Sequence, residues 1–427
     1  MISVSRRTFV AGAVSAPLLA STRLSLASAA QDGAQGDLSL AGIEYSYSPA
    51  VVEAFQEANP NLAVDFTGGT ISFEDGQIQA VLQSGEGPDA VNVNSGPGRV
   101  GLLASSGLIL ALDDFYERTG AMETYQPNVI EQIQNQPPEG ETIYEVVEGL
   151  DVFSVYYNMD IFEENGLEPP QTWDDFLAIC QTLQDAGVQP MLLGARDNFQ
   201  GGWLFGNLVQ ASAGRDVMTE VIYGEGDFTH PDILRAAEML QTLVDEGYIS
   251  GLEAAALEGE QAQAAFGQGQ GAMTVQQQSF PISLANDGAA VTNIGSFVIP
   301  SLNEGQPAAP TAGLAHSWVL NASSDNPEAA EAWLEWVVSD EYLQIAYENG
   351  GGLVPARIVP EGITLPPSVQ SAADSIEEGV GYNPSVYLPS AGTNAWYAAM
   401  QQIITGQATP EEVVAEVQAA LEESRAG

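Results

Sequence analysis

Residues 144–176, reading YEVVEGLDVFSVYYNMDIFEENGLEPPQTWDDF, constrain this chain more than any other stretch. Residues 152–157 form an apolar, β-branched and aromatic run of strand length. An acidic segment follows at 161–165, then Gly166 and a Pro169-Pro170 break. Thr172 stands where a helix needs an N-cap, and Asp175 sits three residues on, close to a capping box. The stretch reads as one strand carrying the backbone from one lobe to another, followed by a helix that opens the second lobe. Two lobes are what the length requires, because single cores stop growing at roughly 250–300 residues and this chain has 427.

Around that stretch, strand patterns alternate with helix patterns. Residues 38–47 read as a first strand, 62–66 as a second and 90–93 as a third, separated by helical segments. Beyond the crossing, 173–186 is a helix stopped by Gly187, 188–193 a strand, and 291–300 a second crossing strand. Two helices close the chain over 396–421, parted by Gly406. The alternation predicts an α/β fold with a mostly parallel, doubly wound sheet in each lobe.

The wording of the stretch resembles the extracellular (periplasmic) solute-binding proteins of ABC transporters, sugar-binding type, family 1, like the maltose-binding proteins. The matching residues are Tyr156, Tyr157, Asn158, Asp160, Phe162, Gly166, Leu167, Pro169, Pro170, Thr172, Trp173, Asp174 and Phe176, with Met159 in place of the family's lysine. The family's SGxGPDV reads Ser84-Gly85-Glu86-Gly87-Pro88-Asp89-Ala90 here. Its closing WYA resembles Trp396-Tyr397-Ala398, followed by Gly406, Gln407, Thr409 and Glu412. The resemblance runs from about residue 38 to residue 421. It implies a two-lobed periplasmic-binding-protein fold of type II, whose lobes are joined by crossing strands and close on a ligand. The division it implies is lobe 1 at 38–149 plus 297–339 and lobe 2 at 150–296 plus 340–427, with a crossing near Ser339-Asp340. It implies a sugar or oligosaccharide as ligand, permease subunits in the membrane as partners, no cofactor and no catalysis.

Residues 1–30 read as a twin-arginine signal peptide: Arg6-Arg7 in Ser5-Arg6-Arg7-Thr8-Phe9-Val10, a small apolar stretch, and a small-residue end at 27–30. Export by that route implies a periplasmic or extracellular protein. Cys180 is the only cysteine and cannot form an internal disulfide, so it reads as a small buried apolar residue. The charge is extreme: 57 Asp and Glu against 10 Arg and no Lys, a net −47. Such a surface repels nucleic acid and anionic lipid. Self-repulsion strains the compact state in dilute buffer, and concentrated salt screens it, with a Debye length of about 3 Å at 1 M. The composition is therefore read as an adaptation to high salt, against the plainer reading of an acidic secreted protein.

Sugar recognition needs flat apolar faces for ring C–H groups and planar polar groups for hydroxyls. Strand C-termini and crossing segments supply the candidates, since doubly wound sheets bind there. From the first lobe these are Glu44, Tyr45, Tyr47, Asn94 and Ser95, each of which could equally cap a turn. On the crossing strand it is Asp151, whose alternative is a backbone hydrogen bond at the hinge. From the second lobe they are Arg196, Asn198, Phe199 and Trp203, the last placed equally well in the core by Leu204, Phe205 and Leu208. Phe280 and His316 complete the set, and the resemblance assigns Trp396 to stacking on sugar. Other readings are a polyol or glycerol phosphodiester binder, a ferric-ion binder through Tyr156-Tyr157, and a secreted carbohydrate-active enzyme. Two histidines, no His/Cys metal spacing and no nucleophile elbow leave the enzyme reading weak. The chain is expected to act as a monomer.

Overall fold

The computed structural model describes residues 34–42, 49–68, 76–85, 87–134, 142–303, 305–377 and 379–426. The signal peptide expected at 1–30 lies outside them, as do Glu44, Tyr45 and Tyr47. The strands are β1 (Gly36–Gly42), β2 (Leu62–Gly68), β3 (Ala90–Val93), β4 (Val146–Asn158), β5 (Met273–Gln277), β6 (Ile294–Phe297), β7 (Thr311–Leu320), β8 (Val354–Pro355) and β9 (Gly381–Tyr382). They join in one sheet of order β2-β1-β3-β7-β4-β5, with β6 and β8 also on β4 and β9 on β7. β1 runs parallel to β2 and β3, whereas β7 and β4 run antiparallel to their central neighbours.

β4 is the member that joins the halves. Its 13 residues span about 43 Å at roughly 3.3 Å each. The first half pairs with β7, from Val146↔Trp318 to Phe153↔Thr311. The second half pairs with β5, from Phe153↔Gln277 to Tyr157↔Met273, and with β6 through Val155↔Phe297. Phe153 is thus the position where the partners change. Asp151 alone along β4 is not fully buried. A strand covered on both faces needs a near-continuous apolar run, which is what residues 152–157 supply.

Two large hydrophobic cores flank this crossing. One gathers Leu38, Phe55, Val129, Leu150, Leu314 and Trp333; the other gathers Val155, Phe176, Leu204, Phe205, Met273, Trp396 and Val417. The helix Trp173–Asp185 opens the second with the expected capping box: the Thr172 side chain accepts from the Asp175 N–H, and Asp175 accepts from the Thr172 N–H.

The third crossing lies elsewhere than Ser339-Asp340. Tyr342, Leu343, Val354, Val369 and Val380 pack in the first core, and the second core resumes at Tyr382. β8 pairs with Gly149 and Leu150 in the first half of β4. Ser339 is the N-cap of the helix Asp340–Glu348, accepting from the Tyr342 N–H. Its polarity serves a cap and not a linker. Residues 188–193 also differ from expectation, forming only single bridges from Met191 to Ile249 and Met273.

Candidate functional site

The crossing brings Asp151, His316 and Gln278 together. The Gln278 side chain accepts from the Val152 N–H at 2.8 Å and donates to Asp151 Oδ1 at 3.2 Å and to the Gly352 carbonyl at 2.7 Å. One buried amide therefore ties the end of β5 to the crossing strand and to the segment before β8. His316 Nε2 lies 3.7 Å from Asp151 Oδ2. Its backbone takes φ 60° inside β7, a region costly for a residue with a Cβ. The Val147↔Ser317 and Gly149↔Ala315 pairs of β4 and β7 flank it.

Asp151 and Phe153 lie two residues apart on one strand and so share a face. Phe153 stacks on Trp203 at 4.8 Å between ring centroids and 26° between planes. Trp203 is half-buried and continues to Phe199 at 6.4 Å, and Phe199 meets Tyr397 edge-on at 6.2 Å. Phe199 is 52% exposed. The result is an aromatic strip running outward from the middle of β4, beside Asp151. The helices Phe199–Ser212 and Ser390–Ile404 carry it, and a glycine pair lets them approach. A Cβ on Gly202 would meet the Tyr397 ring at 2.7 Å, and one on Gly201 would meet Met400 Sδ at 2.3 Å.

Tyr397, not Trp396, belongs to this strip. Trp396 is fully buried, stacked on Phe205 at 4.3 Å and 10°, with Phe228 edge-on at 5.9 Å. It offers no face to a ligand. The reason was present in the sequence: Gly392, Thr393, Trp396, Ala399, Met400, Ile403 and Ile404 make a continuous core stripe at helical spacing. Phe280 is likewise core, packed on Tyr156 and Phe266 at 5.4 and 5.3 Å. His316 is buried on β7 beside the crossing strand. Arg196 is exposed and paired with Glu258 at 3.4 Å. Asn198 is half-buried with φ 70° just before the helix that carries Phe199. Asn94 is half-buried at the end of β3. Phe153, Gln278 and Tyr397 were not singled out by sequence.

Ser95 is buried and donates its hydroxyl to Glu145 Oε1 at 2.8 Å, a structural role. Burial pushes the Glu145 carboxyl up to about 7, against the pull of the Ser317 and Ser95 hydroxyls. A carboxyl raised above its unfolded value of 4.5 favours folding fully below that value. The contribution is lost as pH rises through about 7. Glu145→Gln is therefore expected to gain about 2–3 kcal/mol over the parent between pH 5 and pH 8. Urea midpoints measured at both values check this; a constant difference between the two proteins contradicts it.

Cys180 lies in the second core, and burial pushes its thiol up to about 12, far from a nucleophile's range. Among the described residues, no group of three or more His, Cys, Asp and Glu side chains is arranged to hold a metal ion. No described helix is long and apolar enough to cross a membrane.

The sequence profile described as bacterial extracellular solute-binding protein matches residues 41–344, well over half of the chain. The chain belongs to that family. Among relatives of this solute-binding protein is an ABC transporter extracellular-binding protein of Pyrococcus horikoshii, 24% identical over 379 residues, covering 87% of this chain and 82% of its own. A diacetylchitobiose-binding protein of Streptomyces coelicolor is 25% identical over 180 residues, 40% of this chain and 36% of its own. A solved chitin oligosaccharide binding protein superposes with a TM-score of 0.79 at 22% identity, covering 92% of this chain and 100% of its own. The fold of this family member is the two-lobed type II periplasmic-binding-protein architecture, a mixed sheet flanked by helices.

Proposed function

We propose that this solute-binding protein is the substrate-binding component of an ABC importer and captures a sugar or oligosaccharide between its lobes. The observation that carries the reading is the aromatic strip Phe153–Trp203–Phe199–Tyr397, exposed at Phe199 and adjoining Asp151 at the crossing. Flat rings beside a carboxylate match the two sides of a pyranose: C–H faces stack and hydroxyls donate. Asn94 and Asn198, with Glu44, Tyr45 and Tyr47, are proposed as further polar and aromatic ligand contacts. Ligand favours closure only through contacts that are better in the closed form. Calorimetric titration with maltotriose, xylotriose and triacetylchitotriose tests the reading. Saturable binding without hydrolysis supports it, and turnover of a bound sugar overturns it in favour of an enzyme.

The family places the protein outside the cytoplasm, and the Arg6-Arg7 pattern supports export by the twin-arginine route. Arg6→Lys combined with Arg7→Lys is expected to hold the precursor inside the cell; normal secretion of that variant contradicts the route. Permease subunits in the membrane are the proposed partners of a monomer.

Salt adaptation follows from the charge. With 57 acids and 10 Arg, removal of residues 1–30 takes away three Arg and no acid, leaving about −50. The melting temperature is expected to be higher in 2 M KCl than in dilute buffer. A value that stays flat or falls contradicts the adaptation.

A further inference from the structure

The cations of the mature chain are few enough to account for individually. The sequence has no Lys and ten Arg, of which Arg6, Arg7 and Arg23 lie in the first thirty residues. The remaining seven are all described, and each is already committed. Arg118 pairs with Glu331 and Glu335, Arg235 with Asp232, and Arg357 with Asp340. Arg215 pairs with Glu131 at 3.0 Å and lies over the Tyr382 ring. Arg99 is buried and donates to the Val386 and Ser385 carbonyls; Arg425 donates to those of Val221 and Gly226. Arg196, three residues from Phe199, is matched by Glu258. The two histidines add nothing unmatched: His316 faces Asp151 at the crossing, and His230 sits 3.7 Å from Asp232 at the start of a helix.

An anionic group leaving water needs a cation or several donors to replace its hydration. Here the strip starts at Phe153, on the same face of β4 as the Asp151 carboxylate, and the surrounding field is that of a mature chain carrying about −50. We infer that the site between the lobes selects uncharged sugars and excludes anionic solutes, uronates and sugar phosphates among them. The same arrangement disfavours a glycerol phosphodiester. The inference rests on the sugar-binding reading and deepens it: exclusion comes from like charge, not from a missing fit.

The test pairs each neutral probe with its own anion. Maltotriose and triacetylchitotriose are titrated calorimetrically beside the forms whose primary hydroxyls are oxidised to carboxylates, at 0.1 M and 2 M KCl. Glycerophosphoglycerol is titrated alongside. The inference expects each carboxylated sugar to bind at least about tenfold more weakly than its parent at 0.1 M, with the gap narrowing at 2 M as salt screens the repulsion. An anion that binds as tightly as its neutral parent overturns the inference and leaves the sugar-binding reading standing. A gap insensitive to salt overturns the electrostatic cause in the same way. Tighter binding of glycerophosphoglycerol than of any sugar, by protein that melts cooperatively, overturns both.

Discussion

Trp396→Ala is expected to destabilise the protein by about 3–5 kcal/mol, the usual cost of emptying a large aromatic site in a core. The indole is fully buried and lies nearly parallel to Phe205, with Phe228 closing the edge. Truncation would leave a cavity between the helices Phe199–Ser212 and Ser390–Ile404, which also hold the strip. Affinity measured on the folded fraction should fall less than stability does. Urea unfolding with calorimetry alongside separates the two effects. Parent-like stability combined with lost sugar binding would return Trp396 to the ligand face and contradict the placement.

How much of this was legible in the sequence depended on whether a signal was local. β3 at Ala90–Val93, the Thr172 capping box and the two closing helices follow from short-range pattern, and the structure reproduces them. The change of partners at Phe153 is not local, since it depends on β7 and β5 arriving from far along the chain. The segment at 340–380 misled because an N-cap serine looks like a linker. Residues 188–193 have strand composition, yet only Met191 finds bridge partners. At the Trp396-Tyr397 pair, one residue is about 100° of helix rotation. The family resemblance pointed to the tryptophan, whereas the core stripe at helical spacing shows that it faces inward. Glu145 carried no sequence signal, because its shift comes from burial beside Ser95.

The second large effect concerns the strip itself. Phe199 is half-exposed, so Phe199→Ala should leave stability within about 0.5 kcal/mol of the parent. Loss of its face should remove stacking worth about 1–3 kcal/mol, a rise in dissociation constant of roughly tenfold to a hundredfold. Tyr397→Ala removes the edge-on neighbour and should weaken binding in the same direction. Trp203 anchors the strip against Phe153, so Trp203→Ala should lower both affinity and stability. The most direct measurement is a calorimetric titration of Phe199→Ala and the parent with the tightest-binding neutral trisaccharide, with urea unfolding of both. An unchanged unfolding midpoint and a dissociation constant raised by at least about tenfold are expected. A parent-like dissociation constant in a fully folded Phe199→Ala protein would contradict the aromatic strip as the sugar-binding surface.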